Sequence, residues 1–393
     1  MNSIKIFRIN ILFLMAILML PLAGISQKKK KNEKKEYDFT IIKEVKTTSV
    51  KDQHYSGTCW SFAAVSFLET ELLRMGKDEL NISEMYFVKN AYSIKARNYV
   101  RLHGNAVFTQ GGQAHDVINL INDFGIVTEE AYPGLNYGEK NHIHDEMEAV
   151  LKSMVDAVIK NKNKRLSTKW FESINAVIEI YLGKNPESFD YNGKSYSPQS
   201  FVQEIATINP DDYIELTSYS HHSFYEKFNL EIPDNWSNSL YYNLPIDELM
   251  EVIENAFNTG YSVCWDGDIS EKTFSHKKGV AIIPEKDWED MTKDEKDNIW
   301  DGNVTEKNIT QECRQKTFDN YTTIDDHLMH LVGIAQDQNG NKYFKTKNSW
   351  TEDSNDYGGY LFMSDNYISL KTIAIMIHKD ALPENIREKL DID

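Results

Sequence analysis

The sequence predicts an α+β protein in which most helices precede most strands. Between residues 59 and 257, apolar residues recur at intervals of three and four, the period of amphipathic helices. After Gly260 the chain instead shows short runs of β-branched and aromatic residues, bounded by turn sequences such as DQNGN. Helices and strands that occupy separate parts of a chain are typical of the α+β class. We therefore expect a helical N-terminal part and a β-rich C-terminal part.

The first 26 residues have the pattern of a secretory signal peptide. Lys5 and Arg8 precede an apolar run over residues 11–25, after which small residues offer a cleavage site. The run contains Pro21 and is short for a membrane span. We expect a cleaved signal and a secreted or periplasmic protein, with an uncleaved anchor as the alternative.

A lysine-rich tail opens residues 27–50 and is expected to be solvated. The whole chain is nevertheless acidic, with 43 basic and 60 acidic residues and a formal net charge of −17. A strongly acidic chain argues against a nucleic acid as partner. The hydrophobic content of 41% is ordinary for a globular protein that buries a large core.

Seven segments of the helical part show helical spacing. The first begins near Cys59, where Gly57 and Thr58 supply a turn and a cap, and the third ends at Gly125. A C-cap glycine, Gly260, follows the last. In chain order the segments are CWSFAAVSFLETELLRMGKDEL, ISEMYFVKNAYSIKARNYV, QAHDVINLINDFG, EMEAVLKSMVDAVIK, STKWFESINAVIEIYL, SPQSFVQEIATI and PIDELMEVIENAFNTG.

The β-rich part contains five short segments with the composition of strands. They are YSVCWDGD, GVAIIP, HLMHLVGIAQD, KYFKTKNSW and GGYLFMS. The acidic stretch DWEDMTKDEKDNIWDG lies between the second and third segments and lacks the ligand spacing of an EF-hand. His221 and His222 have no cysteine or histidine at ligand spacing. The sequence therefore predicts no metal site.

Cys59 is the cysteine that calls for an explanation. An odd number of cysteines, three, leaves at least one thiol unpaired in an oxidising compartment. Cys264 lies in an apolar strand-like run and Cys313 in a polar loop. A disulfide between these two is an open alternative, because sequence alone does not determine connectivity. Cys59 starts a helix, where free N–H groups and the helix dipole favour a thiolate and lower the thiol pKa.

A nucleophilic thiol needs a base and a group that orients the base. His327 and His330 lie three residues apart on one predicted strand, so their side chains point to opposite faces and one of them can face a given cleft. Asn348 follows on the next predicted strand, where its side chain can accept the ring N–H of a histidine. Trp350 could shield that hydrogen bond from water.

The motifs QHYSGTCWSF, DHLMHLVGI and KNSW, in this order, resemble the papain superfamily of cysteine peptidases. The resemblance implies that Cys59 is the nucleophile and that His327, which has a glycine six residues later, exchanges the proton. It further implies that Asn348 orients the imidazole and that Gln53 donates to the oxyanion. No metal or organic cofactor is implied. The glycine pair of TQGGQAHD, Gly111 and Gly112, would bind the substrate backbone, together with Trp350 at the cleft.

Within that superfamily, GGQAHDVINLINDFGIVTEEAYPG, VCWDGDIS and the region after KNSW resemble bleomycin hydrolase and aminopeptidase C. This resemblance implies a papain-like two-lobe fold, with a helical N-terminal lobe, a β-barrel-like C-terminal lobe and a long helical insertion. The corresponding boundaries are 51–139 for the helical lobe with the nucleophile, 140–257 for the insertion and 258–393 for the β-rich lobe with the C-terminal tail.

Members of that branch are aminopeptidases built as six-subunit rings, so the resemblance implies peptide substrates and a homo-oligomer, a hexamer. Their C-terminal tail lies in the cleft. Here the five residues from Lys389 to the end would span roughly 17 Å when extended. An aminopeptidase is therefore expected, whose tail carboxylates, Asp391 and Asp393, reach the cleft only in part. An endopeptidase or oligopeptidase with an open cleft and a non-catalytic binding protein are the alternatives.

Overall fold

A computed structural model describes residues 37–163 and 165–392 of the chain. The expected signal peptide, most of the lysine-rich tail and the C-terminal Asp393 lie outside the described residues. Within the described ranges, no helix is long and apolar enough to cross a membrane.

Eleven α-helices are present in the described part of the chain. Five of them precede residue 183 and carry the pattern that the sequence predicts. The helices are α1 Cys59–Arg74, α2 Glu84–Arg101, α3 Ala114–Phe124, α4 Asp145–Ile159, α5 Lys169–Leu182, α6 Pro198–Phe201, α7 Ile246–Thr259, α8 Lys293–Asp297, α9 Gln311–Asp319, α10 Asp365–Lys371 and α11 Glu384–Lys389.

Thirteen strands form a large, mostly antiparallel sheet and a small hairpin in the described ranges. They are β1 Thr40–Glu44, β2 Phe189–Tyr191, β3 Lys194–Tyr196, β4 Tyr213–Thr217, β5 Lys227–Asn229, β6 Leu240–Asn243, β7 Val263–Gly267, β8 Phe274–Ser275, β9 Val280–Ala281, β10 His327–Gln336, β11 Lys342–Lys347, β12 Tyr360–Ser364 and β13 Thr372–His378. The large sheet has the order β5-β6-β4-β13-β7-β10-β11-β12-β9-β8, with β1 paired to β10, and β2 and β3 form the hairpin.

The mixed α and β fold agrees with the prediction, but the described strands form an open sheet and no closed barrel. The segment over residues 140–257, which the sequence predicts to be mostly helical, also contributes β4, β5 and β6 to the sheet. β4 pairs with β13, a strand far away in the sequence, so its strand conformation depends on a partner that local periodicity does not reveal. The expected helix after Pro198 becomes a π-turn and stops at Thr207, whose φ is 52°.

Two large apolar cores lie on opposite faces of the sheet. One contains the apolar faces of the first five helices together with Leu328 of β10, and the other contains α7, α10 and α11 with Met329 of β10. Successive residues of a strand point to opposite faces, so neighbours in β10 belong to different cores. Helix α1 is buried between the helical core and β10, which brings its first residue to the start of that strand.

Candidate active site

Cys59 is the first residue of α1, as the sequence predicts. The carbonyl of Thr58 accepts the N–H groups of Ser61 at 3.0 Å and Phe62 at 3.3 Å, which closes the first turn of the helix. The thiol is buried, and the backbone N–H of Leu328 donates a hydrogen bond to its sulfur. Because Leu328 follows His327 directly, the start of β10 carries both the contact to the thiol and the imidazole.

The imidazole of His327 is oriented by Asn348. Nε2 of His327 lies 2.8 Å from Oδ1 of Asn348, which also accepts the backbone N–H of Ser349 at 2.8 Å. An amide oxygen can only accept, so Nε2 carries the proton in the neutral ring, and Nδ1 is left without one. In that tautomer Nδ1 can take a proton from a thiol.

His276 is also part of this arrangement, and no sequence pattern singles it out. Nδ2 of Asn348 lies 3.2 Å from Nδ1 of His276, whose Nε2 lies 2.7 Å from the hydroxyl of Ser354. The Ser354 hydroxyl in turn donates to the Thr351 carbonyl at 2.6 Å. The hydrogen bonds thus run in one direction, from His327 through Asn348, His276 and Ser354 to the Thr351 carbonyl. This direction requires the oxygen of the Asn348 amide to face His327.

Trp350 covers both histidines. Its ring lies 5.0 Å from that of His327 and 4.9 Å from that of His276, measured between centroids. The shielding that the sequence suggests for Trp350 is therefore present, with a second histidine beneath the same ring. His276 comes from the loop between β8 and β9, where an isolated histidine in a polar turn has no periodic signal.

His330 lies in the core instead. Its Nδ1 is 2.9 Å from the hydroxyl of Ser66 on α1, and its ring packs edge to face on Phe67. Burial and the charge of Lys347 place the pKa of His330 well below its usual value, so the ring is neutral. The two histidines thus have the separate surroundings that strand alternation predicts.

Gln53 is buried beside the same loop. Its Nε2 donates to the Ser56 carbonyl at 2.7 Å, and its Oε1 accepts the hydroxyl of Ser349 at 2.6 Å. The Gln53 backbone N–H also donates to the Ser349 carbonyl at 2.9 Å. A primary amide has two N–H groups. One is bound to Ser56, so the other is the candidate donor to an oxyanion.

The glycine pair lies between an aromatic ring and a carboxylate. A Cβ on Gly112 would be 3.0 Å from the Trp60 ring and from Oδ2 of Asp116. A Cβ on Gly111 would be 1.9 Å from Oδ2 of Asp234. A side chain is therefore excluded at Gly111, because the carboxylate of Asp234 already occupies the space beside its α-carbon.

Burial makes both reacting groups prefer their uncharged forms. Burial, with a smaller contribution from the charges of Asp234, Asp325 and Asp266, raises the pKa of Cys59 to about 12. Burial likewise lowers the pKa of His327 to about 4, against the effect of its hydrogen bond to Asn348. The thiolate expected from the helix start is therefore opposed by three carboxylates that come from distant parts of the chain. The structure favours a neutral thiol and a neutral imidazole.

The other two cysteines are also free. Cys264 is buried in β7, and Cys313 lies half-buried on α9 rather than in a loop. The possible bridge between them is not formed. Neither residue has a contact with His327 or Asn348 among the hydrogen bonds of the described residues.

Glu231 joins His221 and His222 in the one group of three possible metal ligands in the described ranges. Nε2 of His221 lies 3.1 Å and Nε2 of His222 lies 2.8 Å from the two carboxylate oxygens of Glu231. The sequence did not single out Glu231. The three side chains satisfy one another by hydrogen bonds and are partly exposed on the surface.

The C-terminal helix packs against the sheet side of the molecule. Leu390 and Ile392 contact the core that contains α7, and Lys389 pairs with Glu248 at 2.8 Å. Asp391 and Ile392 line a cavity of about 600 Å³ together with His115 and other residues. The groups whose charges act on Cys59 are Asp234, Asp325 and Asp266 instead. The partial reach of Asp391 and Asp393 into the cleft stays a prediction, because Asp393 lies outside the described residues.

A thiol at a helix start, an imidazole at a strand start and an amide that orients it define a papain-like cysteine peptidase. Residues 20–393 match the profile of the Peptidase C1-like family. The chain belongs to this family, in the branch of aminopeptidase C and bleomycin hydrolase.

Several characterised relatives are similar over most of their length. Aminopeptidase G of Lactobacillus delbrueckii subsp. lactis is 22% identical over 389 residues, which cover 88% of this chain and 84% of that protein. Bleomycin hydrolase of Mus musculus is 23% identical over 394 residues, 87% of this chain and 82% of that protein. The crystal structure of PepW from Lactobacillus rhamnosis HN001 has a TM-score of 0.68 and 20% identity, and covers 90% of this chain and 84% of that one.

Proposed function

We propose that this cysteine peptidase removes residues one at a time from the N-terminus of peptides, with Cys59 as nucleophile and His327 as the group that exchanges the proton. The observation that carries the assignment of roles is the 2.8 Å contact between His327 and Asn348, at the start of the strand whose Leu328 N–H contacts the thiol. It fixes the tautomer of His327 that a proton transfer from Cys59 requires.

The reaction begins when the Cys59 proton moves to Nδ1 of His327 as the sulfur bonds to the carbonyl carbon. The carbonyl oxygen becomes negative and accepts hydrogen bonds from the second N–H of Gln53 and from a backbone N–H at the start of α1. The C–N bond then breaks, and His327 gives its proton to the leaving amine. Water, deprotonated by His327, attacks the thioester and releases the carboxylate and the thiol.

The proposed exopeptidase preference rests on Asp234. A longer peptide would have to continue along Gly111 past the scissile residue, but the carboxylate of Asp234 lies against the Gly111 α-carbon. The relatives named aminopeptidase G and aminopeptidase W support the same preference. An open endopeptidase cleft has no comparable support in the geometry.

The test compares leucyl methylcoumarylamide with its N-acetyl form on the purified chain over residues 27–393. We expect hydrolysis of the free-amine substrate and much slower hydrolysis of the acetylated one. Cys59→Ala should abolish both rates, while the matched variant Cys313→Ala should keep them. Equal activity of Cys59→Ala and the unchanged protein would overturn the assignment of the nucleophile. Preference for the acetylated substrate would favour the endopeptidase alternative.

We further propose that the mature chain is secreted or periplasmic and forms a homo-oligomer, a hexameric ring. The support is the signal-peptide pattern of residues 1–26 for export and the family resemblance for the ring. Intact-mass measurement of the exported protein tests cleavage. Light scattering after size-exclusion chromatography tests the assembly, and a monomer would contradict it.

A further inference from the structure

Three carboxylates converge on the thiol from separate elements. Asp266 belongs to β7, Asp325 lies two residues before the start of β10, and Asp234 lies in the loop between β5 and β6. Asp266 is the register partner of Leu328, the residue whose N–H contacts the sulfur of Cys59. Paired residues in neighbouring strands project to the same face, about 5 Å apart. The register thus places Asp266 opposite the residue that contacts the thiol, and its charge acts on Cys59.

Asp325 and Asp234 form the more accessible side of the group. Both are partly exposed, whereas Asp266 is only 3% exposed. Nε2 of Gln113 donates to Asp325 at 3.1 Å, and the backbone N–H of Asp234 donates to the same carboxylate. Asp325 is therefore held in place by two neutral donors. Its negative charge is left without a counter-charge from either.

Asp266 has no hydrogen-bond donor among the described residues, for either of its two buried carboxylate oxygens. The side chains of Asp266 and Asp325 are hydrogen-bonded to each other, and between two carboxyl groups such a bond requires one shared proton. Buried acceptors are normally satisfied, and an orphaned one indicates a missing donor. A buried carboxyl group with only a second acidic group as its partner, and with a third beside it, favours a ligand with several N–H donors and a positive charge.

The cations nearby are committed elsewhere. His115 lies 2.5 Å from Glu215 and 3.4 Å from Asp116, and this pairing raises its pKa to about 9 against the effect of burial. Lys95 donates to the carbonyls of Thr109 and Gly111, and burial lowers its pKa to about 8. Among the described residues, no ion pair within 4.0 Å involves Asp234, Asp266 or Asp325. The charge of Lys95 lowers the pKa of Asp234 without forming such an ion pair, while Asp116 and Glu148 add negative charge around it.

We propose that Asp234, Asp266 and Asp325 together bind the α-ammonium group of the residue whose carbonyl Cys59 attacks. This α-ammonium group is separated from the carbonyl carbon by two bonds of about 1.5 Å each, so it lies within a few ångströms of the sulfur during attack. An ammonium carries three N–H donors and no acceptor. It supplies the hydrogen bonds that Asp266 lacks and the charge that the three carboxylates require. The inference rests on the proposed aminopeptidase function and names the groups that enforce it.

Binding of the ammonium also affects the nucleophile. The same three carboxylates raise the pKa of Cys59, in addition to burial. A positive charge placed between them and the sulfur offsets this effect, so the thiol loses its proton to His327 more readily when a free N-terminus is bound. An acetylated or deaminated substrate leaves the carboxylates uncompensated and the thiol protonated. Binding of the substrate ammonium therefore also promotes deprotonation of Cys59.

The test measures kcat/KM for leucyl methylcoumarylamide and for its deamino analogue, 4-methylpentanoyl methylcoumarylamide. Asp266→Asn and Asp325→Asn should each lower the free-amine value by roughly 10- to 100-fold, as for the loss of a hydrogen bond to a charged group. The deamino value should change little. Glu289→Gln, which removes an exposed charge elsewhere, is the matched control and should leave both values unchanged.

A second measurement uses iodoacetamide labelling of Cys59 at neutral pH, with and without butylamine. The amine should accelerate labelling in the unchanged protein and have no effect on Asp325→Asn. Retention of the free-amine to deamino ratio in both variants would overturn the inference, as would labelling that is indifferent to the amine. If instead the unchanged protein cleaves neither substrate, the proposed function fails, and amine-dependent labelling still decides the binding site.

Discussion

At the scale of single residues, the site depends on which tautomer and which amide orientation are fixed. Asn348 could face His327 with either its oxygen or its nitrogen. The contact of its Nδ2 with His276 selects the oxygen, and the Ser354 hydroxyl selects the His276 tautomer. Burial lowers the pKa of His276 to about 4, so it stays neutral and can accept from Asn348 at physiological pH. His276 is thus a positioning residue that acts through Asn348.

His276→Ala should lower kcat by about five- to tenfold, the effect of one net hydrogen bond, with little change in KM. The reason is that the Asn348 amide can then turn its nitrogen toward His327. Initial rates on leucyl methylcoumarylamide measure the change, and His276→Gln, which keeps an acceptor, should recover part of it. His103→Asn, an exposed site with the positive φ that asparagine tolerates, is the control. A pure effect on KM in His276→Ala would contradict the positioning role.

At the scale of elements, the loop between β5 and β6 closes one side of the cleft. This loop carries Asp234 to Gly111, although the two residues belong to different parts of the fold. Asn235 holds the loop through hydrogen bonds to the Leu230 and Ser239 carbonyls and to Asn229. These hydrogen bonds hold the loop in place as one side of the cleft.

Gly111→Ala should be destabilised and should lose free-amine activity, because its Cβ would lie 1.9 Å from Oδ2 of Asp234. Overpacking of this kind costs about 1–3 kcal/mol. The double variant Gly111→Ala/Asp234→Gly removes the clash, and we expect it to regain the Tm while cleaving N-acetyl substrates faster than the unchanged protein does. Thermal melts and the two rates check this. A double variant as unstable as the single one would show that the contact is not the cause.

The sequence predicts the helices well because their apolar period is local, and it places Cys59 at the helix start that the structure has. It also predicts the separate environments of His327 and His330, because the alternation of side chains along a strand is local too. The strands over residues 213–243 escape prediction, because β4 depends on pairing with β13. Asp234, Asp266 and Asp325 also escape it, since each lies in a different element and only the fold brings them together. Burial, together with the charges of these carboxylates, opposes the thiolate expected at Cys59.

At the scale of the whole molecule, buried carboxyls affect how stability depends on pH. Burial, with the charge of Asp234, raises the pKa of Asp325 to about 7. Its carboxyl in an unfolded chain titrates near its usual value of about 4. Between these values the folded state binds more protons than the unfolded state, so the free energy of unfolding falls as pH rises from about 4 to about 7.

Asp325→Asn removes this dependence. We expect its Tm to exceed that of the unchanged protein at pH 8, and the difference to shrink or vanish at pH 4, where the aspartate is protonated in both states. Scanning calorimetry at the two pH values provides the measurement. A variant with a lower Tm at pH 8 would mean that the Asp325 charge stabilises the fold. A gain in stability with a loss of free-amine hydrolysis would be the signature of a group retained for binding.

The wall that Asp234 builds beside Gly111 determines how a long peptide is consumed. If the first nitrogen of the substrate sets the position of cleavage, the side chains further along have little influence on where the bond is cut. Each turnover creates a new terminal nitrogen one residue further in, and that shortened peptide is again a substrate. Mass spectra of a digest should then show a ladder with single-residue steps. The ladder should stop wherever the terminal nitrogen is acylated or cyclised.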